Sequence, residues 1–178
     1  MTTELVKDLG DIKIREAVRE DAPNFVDYLA KVGGETNFLT FGPGELTNSV
    51  SDEEASIEEK RTAINKTIIV AVVEDKVIGI LSFTGGTRPR VQHIGEFGIT
   101  VLKDYWDQGI GTEMVEQLIK WAKASNVVRK INLRVRSDNN RAIHVYKKLG
   151  FHHEGVTTRD FYIDGEFYDS VRMGLEID

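Results

Sequence analysis

The 178-residue chain contains no cysteine. That excludes disulfides, thiolate nucleophiles and cysteine-ligated zinc or iron–sulfur centres. Long apolar runs are missing as well, for the longest, Ile68 to Val73, is far too short to span a bilayer. The first twenty residues carry Glu4, Lys7, Asp8 and Asp11, so no apolar signal segment is expected there. No repeat, low-complexity tract or Pro/Gly/Ser linker divides the text, and residues 1–178 are read as one domain. Positive charge is in the minority: 23 Lys and Arg against 29 Asp and Glu leave a net charge of −6. This balance argues against nucleic acid as the main partner. A cytoplasmic protein without a membrane segment is the expectation.

What is present suits a folded domain. Hydrophobic residues make up 40% and charged residues 29%, too apolar for a disordered chain. At this size roughly 70% of the unfolded surface is hidden on folding, enough for a core without staples. Ile12 to Arg15 alternates apolar and polar like a short strand. Asp21 is placed to cap a helix carrying Phe25, Tyr28 and Leu29 at helical spacing. Residues 33–51 are turn-rich, and a second helix is expected over 52–65 with Ser51 and Glu54 as a capping box. Residues 67–73 and 77–83 are β-branched apolar runs typical of strands buried on both faces, joined at Glu74-Asp75-Lys76.

A third strand is expected over 93–102, interrupted by Gly95 and Gly98. A helix follows over 109–124, with Met114, Val115, Leu118 and Ala122 on one face. Ile131, Leu133 and Val135 alternate with Asn132, Arg134 and Arg136 in another strand. A helix over 140–149 closed by Gly150, then a hairpin turning at Asp164-Gly165, complete the chain. Strand, helix, strand between His93 and Val135 implies one right-handed parallel crossover in a mixed sheet.

Chemistry concentrates in Trp106-Asp107-Gln108-Gly109-Ile110-Gly111-Thr112, between a strand and a long helix. Glycines there let backbone approach a ligand, and the free N–H groups of the helix's first turn form an anion site. A glycine-eased turn without ligand reads equally well. A dinucleotide fingerprint fails because Met114 stands where its third glycine belongs, and the Gly-Lys-Ser/Thr of a P-loop is absent. His152 and His153 point to opposite faces of a strand and cannot share a metal; His93 and His144 lack partners at ligand spacing. Neither a metal site nor a hydrolase is expected.

The next strand leads into Asn139-Asn140-Arg141-Ala142-Ile143-His144-Val145-Tyr146-Lys147-Lys148-Leu149-Gly150-Phe151. Asn139, Ala142, Tyr146, Lys148, Gly150 and Phe151 resemble the second motif of the GNAT N-acetyltransferase family, Asn-x-x-Ala-x-x-x-Tyr-x-Lys-x-Gly-Phe. Gly109 and Gly111 match that family's loop, Gln/Arg-x-x-Gly-x-Gly/Ala, although Trp106 stands where Gln or Arg is expected. Ile14-Arg15-Glu16-Ala17 and the order of elements are similar too, so the likeness covers nearly the whole chain.

The resemblance implies an α/β (α+β) fold: a mixed, mostly antiparallel sheet of about seven strands, splayed in a central V, with helices on both faces. It implies acetyl-coenzyme A as co-substrate, no metal, and transfer of acetyl to a primary amine by direct attack. The pyrophosphate of coenzyme A would lie on the N–H groups of Gln108, Gly109, Ile110, Gly111 and Thr112. The pantetheine arm would pair like a strand with Ile99, Thr100 and Val101, Gly98 being a bulge position. Asn139 would contact the arm, cap its helix, or do both; Lys148 belongs to the cofactor-binding motif. Tyr146 is either a core aromatic or the acid that protonates the departing thiolate.

Glu96 is either salt-bridged or the base that takes the proton of the amine, and a backbone N–H near Ile99 would hold the oxyanion. Glu35, Glu45, Asp52, Glu53, Glu54, Glu58 and Glu59 crowd the segment that covers the family's acceptor cleft. They would draw a polyamine or a protein N-terminus, or else form a solvated helix face. The carboxy-terminal hairpin with Tyr162, Phe167 and Tyr168 is similar to that of ribosomal-protein N-terminal and small-amine acetyltransferases. A non-catalytic acyl-coenzyme A sensor on the same scaffold is the alternative, and a homodimer is expected by analogy.

Overall fold

The computed structural model describes residues 11–178; Glu4, Lys7 and Asp8 lie outside them. One mixed sheet organises these residues. Its strands are β1 (Lys13–Glu16), β2 (Lys66–Val73), β3 (Lys76–Gly85), β4 (Ile94–Val101), β5 (Lys130–Arg136), β6 (His152–Ile163) and β7 (Glu166–Glu176). They lie in the order β1-β2-β3-β4-β5-β7-β6. Only β4 and β5 run parallel, joined by the crossover helix α3 (Ile110–Ser125). Both tight hairpins use two residues of positive φ, 48° and 61° at Glu74 and Asp75, 51° and 82° at Asp164 and Gly165. Turns of that hand match the twist of the flanking strands.

The interior of β2 is buried on both faces, as its unbroken apolar text requires. Alternation assigns Phe83 and Phe97 to one face, and Ser82, Gly98 and Thr100 to the other. Trp121 of α3 and Tyr146 of α4 (Asn140–Lys148) meet Phe83 and Phe97 edge-on, so these helices cover the first face. Tyr28 of α1 (Ala22–Val32) and Lys60 of α2 (Val50–Thr62) bond Thr100 and Ser82, so these helices cover the second. Leu81, Phe83, Met114 and Leu118 are fully buried between sheet and α3. Truncating Leu81 to Ala is expected to cost about 2–5 kcal/mol through the cavity it leaves.

Three local expectations are corrected. The α2 cap is Ser49, not Ser51: its Oγ accepts from Asp52 N at 3.1 Å while Asp52 Oδ2 accepts from Ser49 N at 3.0 Å. Both Ser49 and Ser51 precede an acid by three residues, and tertiary fit selects between them. Asp21 makes no side-chain cap; it is buried, accepting two bonds from Arg15 (2.8 and 2.9 Å) and one from Val18 N–H (2.8 Å). Gly98 is not a bulge, because β4 keeps unbroken register with β3 from Gly95 to Val101. The sheet instead parts on the other side of β4. Pairing with β5 stops after Ile94↔Lys130, Gly95↔Ile131 and Glu96↔Asn132, while β5 stays paired with β7 as far as Arg136.

Candidate active site

The gap between β4 and β5 presents unpaired backbone. Leu102 N–H donates to the Ile78 carbonyl in β3, so alternation turns the N–H and C=O groups of Ile99 and Val101 toward the gap. One of these acceptors is already engaged, for the Trp106 indole N–H donates to the Val101 carbonyl at 2.8 Å. Trp106 thus closes the end of the exposed strand edge where the family pattern has a Gln or Arg. Ile99 keeps both its groups for an amide-bearing ligand.

Beyond the gap lies the amino terminus of α3. Asp107 and Gly109 both take positive φ, 64° and 79°, which turns the chain sharply into the helix. No side chain caps that end, and the first intrahelical bond runs from Glu113 N to Gly109 O. The N–H groups of Ile110, Gly111 and Thr112 are therefore left pointing out of the positive end of the helix dipole. Asp107 pairs with Arg141 of α4, tying the two walls together. On α4, Asn139 Oδ1 accepts from Ala142 N at 3.2 Å as an N-cap, and the residue also lines the cleft.

Tyr146 packs edge-on against Phe97 and Phe151 at 5.9 and 6.0 Å between ring centroids, and lines the same cleft. Removal from water alone pushes its phenol up to about 12, keeping the group protonated at neutral pH. The cleft holds about 970 Å³, a volume at the upper end for small-molecule sites.

Across the sheet the cleft reaches the α1–α2 side. Tyr28 and Thr100 share a 2.7 Å hydrogen bond, and burial raises the Tyr28 phenol above its ordinary value. Lys60 donates to Ser82 Oγ and, at 3.2 Å, to Thr84 Oγ1; burial lowers its pKa. The 33–49 segment roofs this side and is tied down twice: Glu35 accepts from Lys103 N at 2.7 Å, and Arg136 donates to the Asn37 carbonyl at 2.9 Å. Glu96 shares the face of Gly98 and Thr100, exposed, with its carboxylate 3.9 Å from the Arg172 guanidinium.

Of the residues singled out from sequence, Ile99, Thr100, Val101, Gly109, Ile110, Gly111, Thr112, Asn139 and Tyr146 line this one cleft. Glu96, Gln108 and Lys148 do not line it. Glu96 stands where β4 is still paired with β5, below the opening. Gln108 is exposed on the turn, and Lys148 sits on the solvent side of α4, two residues round from Tyr146. The acidic cluster is also corrected, since none of its seven members lines the cleft. Six are engaged locally: Glu35 and Glu45 accept backbone N–H groups, Asp52 closes the cap, Glu53 accepts from Asn48, and Glu54 and Glu59 pair with Arg19 and Lys66. Sequence reasoning missed Arg134, which does line the cleft. Its signal was the polar row Asn132, Arg134, Arg136 on one side of a central strand.

A splayed parallel pair beside an uncapped glycine-led helix defines the class of acyl-coenzyme A-binding acetyltransferase folds. The family model described as acetyltransferase (GNAT) family matches residues 39–151, more than half of the chain, and the chain belongs to that family. It is similar to a GNAT-family acetyltransferase structure from Streptococcus pneumoniae, at 34% identity and TM-score 0.91 over 94% of this chain and 99% of that one. Similarity to the L-amino acid N-acetyltransferase AaaT of Escherichia coli K12 is 33% over 105 residues, 59% of this chain and 65% of AaaT. Similarity to the spermidine N(1)-acetyltransferase of the same strain is 31% over 83 residues, 47% of this chain and 45% of that enzyme. The chain thus aligns with less than two thirds of either curated relative.

Proposed function

We propose that residues 1–178 form one acetyltransferase domain that moves acetyl from acetyl-coenzyme A to a primary amine by direct attack. The observation that carries this reading is the joining of three features in one cleft: the unpaired edge at Ile99, the uncapped amino terminus of α3, and the protonated Tyr146. Acetyl-coenzyme A brings an activated thioester. The N–H groups of Ile110, Gly111 and Thr112 receive its diphosphate, and Ile99 pairs with its amide arm. Ile99 N–H also faces the carbonyl oxygen that gains charge.

Glu96, through a bridging water, accepts the proton that the acceptor nitrogen sheds as its N–C bond forms. Tyr146 gives its phenolic proton to the sulfur as the C–S bond breaks, and regains one from solvent afterwards. The fates of the acidic cluster support a small-molecule acceptor over a polyamine. Acetyl-coenzyme A is an intracellular metabolite, which supports a cytoplasmic location. The exposed Val156, Tyr162 and Phe167 on the edge hairpin support pairing of two chains.

Thiol release from acetyl-coenzyme A across a panel of amines and amino-terminal peptides tests the reading. Release with at least one acceptor is expected. Tight coenzyme A binding without release from any acceptor would establish the sensor alternative.

A further inference from the structure

The reading above names an amine and leaves the rest of the acceptor open; the inference here rests on that reading and concerns what else the acceptor carries. Arg134 stands on β5 two residues past its last pairing with β4, on the face shared by Asn132, Arg136 and, across the gap, Glu96. It lines the cleft on the α1–α2 side. Other charged groups around the cleft are spent. Arg136 holds Asp138 with two bonds of 2.9 and 2.7 Å and is flanked by two rings, while Arg141 is paired with Asp107.

Arg134 differs. Its contacts to Asp160 are long, 3.4 Å, and Asp160 itself is held by a 2.5 Å bond from Ser170. A guanidinium offers five N–H donors in a planar fork, so most of those of Arg134 remain for a ligand. A fork of this kind matches a carboxylate with two parallel hydrogen bonds.

We infer that the acceptor is an apolar α-amino acid whose carboxylate is taken by Arg134 while its amine faces Glu96. An α-amino acid carries amine and carboxylate on one carbon, matching a base and a guanidinium on the same face of a narrow gap. Leu29, Phe38, Phe41 and Phe161 line the cleft and supply apolar wall for a side chain. A polyamine would instead set a second ammonium against Arg134, with Arg172 and Lys60 on the same face, at a repulsive cost.

The experiment titrates the coenzyme A-loaded protein with L-leucine and with 3-methylbutylamine, which is leucine without its carboxylate, followed by calorimetry. Leucine is expected to bind at least tenfold tighter than the amine, and R134Q to erase that difference while still binding coenzyme A. R134K, a point charge without the fork, is expected to recover only part of it. Equal or tighter binding of 3-methylbutylamine or of spermidine, no binding of leucine, or an unchanged preference in R134Q would each overturn the inference. Those outcomes leave the acetyl-transfer reading standing if thiol is released with any amine. Failure of the wild-type protein to bind coenzyme A would overturn both.

Discussion

The guanidinium of Arg136 lies 3.7 Å from the centroid of the Tyr168 ring and, on its other side, 4.6 Å from that of Phe38. Phe38 belongs to the segment roofing the cleft, Tyr168 to β7 and Arg136 to the free end of β5, so one buried cation clips roof to sheet. Arg136→Lys keeps the charge and loses the fork and the stacking. Unfolding stability is expected to fall by about 1–3 kcal/mol, read from urea denaturation. Proteolysis within residues 33–49 should quicken. An unchanged midpoint and unchanged cleavage would show that the clip holds nothing.

Tyr146→Phe keeps the ring among Phe97 and Phe151 and removes only the proton. A drop in kcat on the order of 100-fold is expected, with coenzyme A affinity unaltered. Because the phenol titrates at about 12, the wild-type rate should show no decline from its ionisation up to roughly pH 10. Unchanged kcat in the variant would exclude the acid role.

Stability should respond to pH at both extremes. Tyr28 and Tyr146 have folded pKa values raised by burial, so their contribution is complete below the unfolded value near 10 and is lost as pH rises toward 12. For Asp21, burial alone would raise the carboxyl, but the Arg15 guanidinium and Val18 N–H outweigh it and hold it low. That contribution is present above the unfolded value near 4 and is lost as pH falls below it. Thermal unfolding across pH should show both limbs, with the alkaline one flattened in Tyr146→Phe and the acid one flattened in Arg15→Gln.

Gly109→Ala places a Cβ at φ 79°. The strain is about 1–2 kcal/mol, and the turn that aims the α3 N–H groups must shift. Coenzyme A is expected to bind at least tenfold more weakly by calorimetry, while a circular dichroism spectrum stays that of the wild type. Wild-type affinity would remove the loop from the diphosphate site.

Glu96→Gln is expected to lower kcat about 100-fold near neutral pH. At a pH above the acceptor's own amine pKa, where free base is already abundant, the deficit should narrow. A deficit constant across pH would instead assign Glu96 to holding Arg172 in place.

Much of this protein is written in local sequence. Unbroken β-branched runs specified β2 and β3, and Asp164-Gly165 specified the last hairpin. The glycine loop and the Asn139–Phe151 motif specified two walls of a cleft before any packing was known, because backbone freedom, helix phase and strand alternation depend on near neighbours. Other features needed distant partners. Ser49 and Ser51 are equivalent by local pattern, and only the packed helix chose Ser49. The acids of residues 35–59 look alike in a row, yet Arg19, Asn48, Lys66 and the backbone of Lys103 decide which way each carboxylate turns. Trp106 read as a departure from a motif until the fold set its indole against the Val101 carbonyl. Arg134 differs from Arg136, two residues away on the same strand face, because Phe38, Tyr168 and Asp138 saturate one and leave the other open. Charge and hydrogen-bonding capacity are properties of a residue, but whether they are spent depends on which groups the folded chain brings within about 3 Å.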